Sequence, residues 1–247
     1  MDLHLQDRVA LVTGAASGFG AAIADALLAE GCIVYRADVC ALADFRPARS
    51  GRPHDLSMDV GRSDQIPGKI DRIVADQGRL DILVNNAGVL RMGTVADSSF
   101  EDWDTVCRIN LSGVYYCCRS VLPGMIERRY GKIVNIASVS AFKGGGVFGN
   151  TLYGTTKAGV VALTKGLGRE VARFGINVNA VAPGLAETGM TNRHLADEKK
   201  DEVVAGIPAG RLATTEDIAN AVLFLASDVS SYVMGETIVV DGAYLTR

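Results

Sequence analysis

The stretch RVALVTGAASGFGAAIADALLAEG, residues 8–31, decides the fold. It opens on a short apolar run with the β-branched residues that favour a strand. From Gly18 it becomes an alanine- and leucine-rich helical pattern that stops at Gly31. Between them lies the turn TGAASGFG, Thr13–Gly20. In such a turn Gly14 can take the tight bend, Gly18 lets backbone approach a pyrophosphate, and Gly20 allows close helix–strand packing. The helix N-terminus then offers unpaired N–H groups and a partial positive charge to that anion. Glycine spacing alone would equally suit an ordinary turn. Its place between a strand and a helix favours a dinucleotide site that includes Ser17 and Phe19.

The same alternation continues outward. CIVYRAD, DLSMDV, LDILVNNAG, GKIVNIAS, INVNAVAPG and ETIVVDG read as six further strands. Helical patterns cover 64–77, 100–129, 153–174 and 215–226. Strand–helix alternation with near-continuous apolar strands predicts a parallel sheet covered on both faces. The fold class is therefore α/β: one Rossmann-type, doubly wound domain over 1–247, with about seven strands. Pro47 and Pro53 interrupt the segment before DLSMDV, so any helix there is short. The charged segment 188–211, placed after a strand end, is expected to cover the substrate.

Composition narrows the function. A net charge of −3 argues against nucleic acid and anionic lipid as partners. No apolar run is long enough for a membrane span, and the first residues lack a signal-peptide pattern. The five cysteines include no CxxC and read as reduced, mostly buried thiols of a cytoplasmic protein. His4, His54 and His194 are scattered without ligand spacing, so no metal site is expected.

Two further signals carry chemistry. Asp38 closes the second strand, where a carboxylate can accept hydrogen bonds from the adenosine ribose and repel a 2′-phosphate. That favours NAD over NADP. Arg36, on the same strand, could assist a phosphate or pair with Asp38. Tyr153 and Lys157 stand four apart at a helix start and so share a face. A nearby cation lowers a tyrosine pKa by roughly 1–3 units, which would make Tyr153 a usable base.

TGAASGFG, NNAG, YGTTK, VAPG and the terminal VVDG together resemble the short-chain dehydrogenase/reductase family almost end to end. The resemblance implies Tyr153 as catalytic base and Lys157 as its tuning cation and nicotinamide-ribose ligand. It also implies Asn110 as a proton-relay residue and a strand-end serine holding the reacting oxygen. Counting from the strand gives Ser138; counting back from the tyrosine gives Ser140. The strand count is preferred, because a glycine-rich loop absorbs insertions and a strand end does not. Asp59 and Val60 correspond to the adenine border, and Asn86, Ala87 and Gly88 to the segment beside the adenosine ribose. Asn85 and Asn86 could otherwise simply cap strand-end backbone. Pro183, Gly184 and Thr188 correspond to the nicotinamide grip, with Ala186 where the family has a larger aliphatic residue. Ser17 stands where NADP-preferring members often carry a basic residue.

The implied activity is NAD-dependent hydride transfer between nicotinamide and a secondary alcohol or ketone, leaning to a polyol or sugar-derived alcohol. Rivals are a 3-oxoacyl-(acyl-carrier-protein) reductase, suggested by GRL at 210–212 and Arg129, and a non-catalytic nucleotide sensor. A scaffold role would require the glycine turn to be accidental. Arg91, Phe142, Lys143 and Phe148 are expected near the substrate. The family's usual assembly implies a homotetramer through the two long helices. Small residues on the second, Gly154, Ala158, Gly159, Ala162 and Gly166, suit that contact.

Overall fold

The computed structural model describes residues 2–40, 42, 52–146, 150–189 and 197–246. Val147, Phe148 and residues 190–196 of the expected covering segment lie outside them. Seven parallel strands form one sheet: β1 (Val9–Thr13), β2 (Ile33–Asp38), β3 (Arg52–Ser57), β4 (Ile82–Asn85), β5 (Gly131–Ile136), β6 (Ile176–Pro183) and β7 (Thr237–Val240). Their order is β3-β2-β1-β4-β5-β6-β7, with every pairing parallel. The chain leaves β1 toward one edge and returns at β4 to build the other. The sheet is therefore doubly wound, and its carboxyl edge opens a crevice where β1 meets β4.

Helices cover both faces. α1 (Gly18–Ala29) and Thr215–Ala226 lie on one side, sharing a core with Ile23, Leu27, Val222 and the inward residues of β1 and β4. The other face carries α2 (Ile66–Gln77), α3 (Phe100–Cys107), α4 (Gly113–Arg128) and α6 (Thr151–Val171), around Ile73, Val114, Cys117 and Val160. A short α5 (Ser140–Lys143) follows β5. α7 (Asp197–Ala205) precedes the Thr215–Ala226 helix, which is α8. Every residue of β1, β4, β5 and β6 is buried, as a strand packed between two helical layers requires.

Three differences from the sequence reading have physical causes. β3 starts at Arg52 and so includes Pro53. It is the edge strand, paired only with β2, where proline's missing N–H removes no ladder bond. The pattern at 100–129 is interrupted by a π-helical segment, Arg108–Ser112, closed by the Gly113 amide on the Arg108 carbonyl. Gly113 also lies hard against Val60, where a Cβ would sit 3.0 Å from the Val60 carbonyl oxygen. Two of the small residues of α6 are used within the chain, while Ala158 and Ala162 are exposed. A Cβ on Gly154 would lie 2.6 Å from Gly144 C and Gly145 N, and one on Gly159 would meet Leu111 at 3.0 Å. Only Gly166 among these glycines faces open space in the described structure. Of the cysteines, Cys32, Cys117 and Cys118 are buried, whereas Cys40 is exposed.

Candidate active site

The carboxyl ends of β1, β2, β4, β5 and β6 line a cavity of about 520 Å³. Its floor at the glycine turn is built by backbone. The Thr13 hydroxyl accepts from the amides of Asn86 and Ala87, each at 3.1 Å. The Asn86 side chain donates to the carbonyls of Thr13 and Gly14, each at 3.0 Å. Its amide thus caps strand ends, and backbone of Asn86–Gly88 remains to face a ligand. Gly14 has φ +67°, and a Cβ there would sit 2.8 Å from Ala87 Cα. A Cβ on Gly20 would overlap the Gly14 carbonyl oxygen.

These residues fit a dinucleotide. Gly18, at φ +58°, has nothing nearer to a built Cβ than Thr188 at 4.0 Å, so its backbone is open to the cavity. Ser17 caps α1 without a side-chain hydrogen bond, and the first turn carries no acidic residue that would repel a phosphate. The Asp38 carboxylate accepts from Ala16 N and Cys40 N, each at 2.9 Å. One bond per oxygen leaves lone pairs for ribose hydroxyls. Phe19, Asp59, Val60, Ala87, Gly88, Pro183, Gly184 and Thr188 also line the cavity. Arg36 does not pair with Asp38. Its guanidinium is buried and bonded to Asp55, directly across on β3, at 2.8 Å from Nε and 2.6 Å from Nη2. Ala186 is buried and bridges to Ala213, tying the strand-end loop to the approach of α8.

At the other end of the cavity stand Ser138, Tyr153 and Lys157. Asn150 caps α6 by accepting from the Tyr153 amide at 3.3 Å. This fixes the tyrosine in the first turn, with Lys157 one turn on. The Ser138 hydroxyl shares the cavity wall with Tyr153 and accepts from Ser140 N at 3.1 Å. Ser140 itself opens α5 on the same wall. Lys157 is buried, with Nζ donating to the Ile136 carbonyl at 2.6 Å and lying 5.7 Å from the Tyr153 ring centre.

Electrostatics here differ from the sequence expectation. Burial pushes the Tyr153 hydroxyl up to about 12, against a smaller lowering by Ser138. The same burial brings Lys157 down to about 8. In the chain alone, desolvation sets the direction of the tyrosine's shift. Asn110 lies in the π-helical segment, buried. Its Oδ1 accepts from Val89 N at 2.8 Å, and its Nδ2 donates to Val89 O at 2.9 Å and to Thr156 Oγ1 at 3.4 Å. A Cβ on Gly88 would lie 3.3 Å from Asn110 Oδ1 and 3.8 Å from Lys157 Nζ, so the two side chains converge there.

Of the residues expected near the substrate, Lys143 lines the cavity. Arg91 instead pairs with Asp102 at 2.9 Å, because that carboxylate also caps α3 beside it. Phe142 is half exposed and is not part of the wall. Sequence reasoning missed Tyr244, which reaches the cavity from the 3₁₀ turn after β7. A lone aromatic ring a few residues from the end of a chain gives no periodic signal.

The chain is similar to known reductases and dehydrogenases. The sequence model of a family described as "Enoyl-(Acyl carrier protein) reductase" matches residues 14–244. The chain is 40% identical to the 3-oxoacyl-(acyl-carrier-protein) reductase FabG of Thermotoga maritima, over 97% of this chain and 98% of that one. Two crystal structures with bound NADP are also similar. One, provisionally assigned as a 2-deoxy-d-gluconate 3-dehydrogenase of Agrobacterium tumefaciens, is 37% identical with a TM-score of 0.84, covering 100% and 99% of the two chains. The other, provisionally assigned as an NAD(P)-dependent gluconate 5-dehydrogenase of Beutenbergia cavernae, is 34% identical with a TM-score of 0.90, covering 100% of both.

Proposed function

Since the chain belongs to the short-chain dehydrogenase/reductase family, we propose that it transfers hydride between NAD and a small polyol or sugar-derived secondary alcohol. The chain is an oxidoreductase acting on CH–OH groups with a nicotinamide dinucleotide. The observation that carries the finer reading is that Ser138, Tyr153 and buried Lys157 stand in one cavity with the glycine turn and Asp38.

The nicotinamide, when bound, accepts or donates the hydride. Ser138 holds the reacting oxygen, and Tyr153 takes the hydroxyl proton in oxidation or returns it in reduction. Lys157 stabilises the tyrosinate, and Asn110 with the Val89 backbone lines the proton's exit. A tyrosine held near 12 is mostly protonated at neutral pH, so reduction suits the chain there and oxidation gains as pH rises. NAD is supported by Asp38 and by the commitment of Arg36 to Asp55. The NADP in two similar structures argues the other way.

The second reading, a 3-oxoacyl-(acyl-carrier-protein) reductase, is favoured by the names of several 40%-identical relatives. Against it, Arg129 donates to the Arg173 carbonyl at 2.9 Å and Arg173 lies over Phe174, 4.7 Å from the ring centre. A homotetramer in the cytoplasm remains our proposal for assembly and place. Exposed Phe100, Trp103 and Tyr115 on α3 and α4 support self-association. Steady-state kinetics across polyols, sugar-derived alcohols and acetoacetyl carrier protein, each with both cofactors, test the reading. The expected result is NAD-linked polyol oxidation. A higher kcat/KM with NADP would sink the cofactor half. NADPH-driven carrier-protein reduction without polyol oxidation would select the second reading.

A further inference from the structure

We infer that the substrate carries a carboxylate, held by Lys143 and Ser140, so that the enzyme acts on a small hydroxy acid; this rests on the dehydrogenase reading above.

The cavity is electrostatically divided. Its acidic side chains among the described residues, Asp38 and Asp59, follow β2 and β3 at the nucleotide end. At the substrate end the wall carries cations and no carboxylate. Lys157 is buried behind Tyr153 and tied to the Ile136 carbonyl. Lys143 is different. Its ammonium lies 4.1 Å from the ring centre of Tyr244, exposed, with no carboxylate within ion-pair distance among the described residues. The Tyr244 face orients the ammonium without neutralising its charge. Ser140, three residues earlier on the same short helix, lines the same wall of the cavity and offers its hydroxyl as a second donor. Together an ammonium and a hydroxyl donor match the two oxygens of one carboxylate.

Their distance from the reacting centre is fixed. Gly144, next after Lys143, packs directly on Gly154, next after Tyr153. Ser140 is likewise bonded through its amide to the Ser138 hydroxyl. The carboxylate subsite is therefore held against the hydroxyl-binding pair by backbone contact. It sits close enough for one short substrate to engage both.

The test compares a six-carbon aldonate with the alditol of the same length, in wild type, Lys143→Gln and Lys143→Arg. NADH fluorescence titration confirms that each variant is folded. Wild type should prefer the aldonate. Lys143→Gln should lower the aldonate-to-alditol ratio of kcat/KM by about 10- to 100-fold, mostly through KM, as expected for loss of a hydrogen bond to a charged group. Lys143→Arg should retain most of the ratio. Calorimetric titration of the aldonate into the enzyme–NADH complex should show the same loss of affinity in Lys143→Gln. An unchanged ratio with active alditol oxidation overturns the carboxylate subsite and leaves the proposed function standing. Activity on neither compound overturns both.

Discussion

At the glycine turn, β1, α1 and the segment after β4 meet through backbone. Gly14 and Gly20 leave no room for a side chain, and Thr13 and Asn86 stitch the strand ends together. At the opposite end of the cavity, α5, α6 and the turn after β7 meet through side chains: Ser138 with Tyr153, and Lys143 with Tyr244. In the proposed function the first region meets what is common to every dinucleotide, a phosphate chain and ribose. It can therefore be rigid and made of glycine. The second must suit one substrate, and its wall is formed by exchangeable side chains. Shape is stored in the backbone at one end and in side-chain chemistry at the other.

The sharpest separation of the two ends is Tyr153→Phe. Turnover should fall by about 10²- to 10⁴-fold, the usual worth of a general acid–base group, while NADH titration still saturates. A near wild-type rate would remove Tyr153 from the chemistry. Next comes the choice between the serines. Ser138→Ala should lower kcat by about 10- to 100-fold, whereas Ser140→Ala should act chiefly on KM. The reverse order would mean that counting back from the tyrosine was the better guide.

Gly20→Ala probes the other end. Overpacking against the Gly14 carbonyl should cost about 1–3 kcal/mol, seen as a lower Tm and weaker NADH binding. The contrasting truncation Tyr244→Ala should move Tm by less than about 2 °C, because the ring is only partly buried. Equal losses of stability would erase the distinction between the ends.

The smallest effect is a pH dependence. Lys157 is brought down to about 8 from an unfolded value of 10.5, so the folded chain binds fewer protons between those limits. Its contribution therefore makes stability rise with pH across that window, and the penalty is fully present below pH 8. Lys157→Met removes it. The Tm of the variant minus that of wild type should shrink as pH goes from 7 to 10. The raised thiols of Cys32, Cys117 and Cys118 act equally on both proteins and cancel in this difference. A constant difference would show that Lys157 carries no such shift.

Legibility follows the same divide. The strands, α1 and α8 could be read because buried strands are continuous apolar runs and α8 opens on a Thr214–Asp217 capping box. Gly14 and Gly20 were readable because only glycine satisfies their packing, and Gly18 because its φ of +58° favours a residue without a side chain. The strand count reached Ser138 because β5 sets the frame, and the structure puts both Ser138 and Ser140 on the cavity wall with Tyr153. The π-helical turn around Asn110 was not readable, since it depends on Val89 backbone that sequence does not place nearby. Nor was the Arg36–Asp55 pair, which needed the register of an edge strand containing a proline. Tyr244 and Lys143 come from distant segments, and their meeting is a property of the folded surface alone.

The contact between Gly144 and Gly154 couples two local equilibria. Neither partner has a side chain to bridge a gap, so the loop after α5 cannot lift without uncovering the first turn of α6. That turn holds Tyr153. Local opening at Gly144 and fraying of the first turn of α6 are therefore coupled through that contact. Whatever orders Gly144 also stiffens the backbone that carries Tyr153.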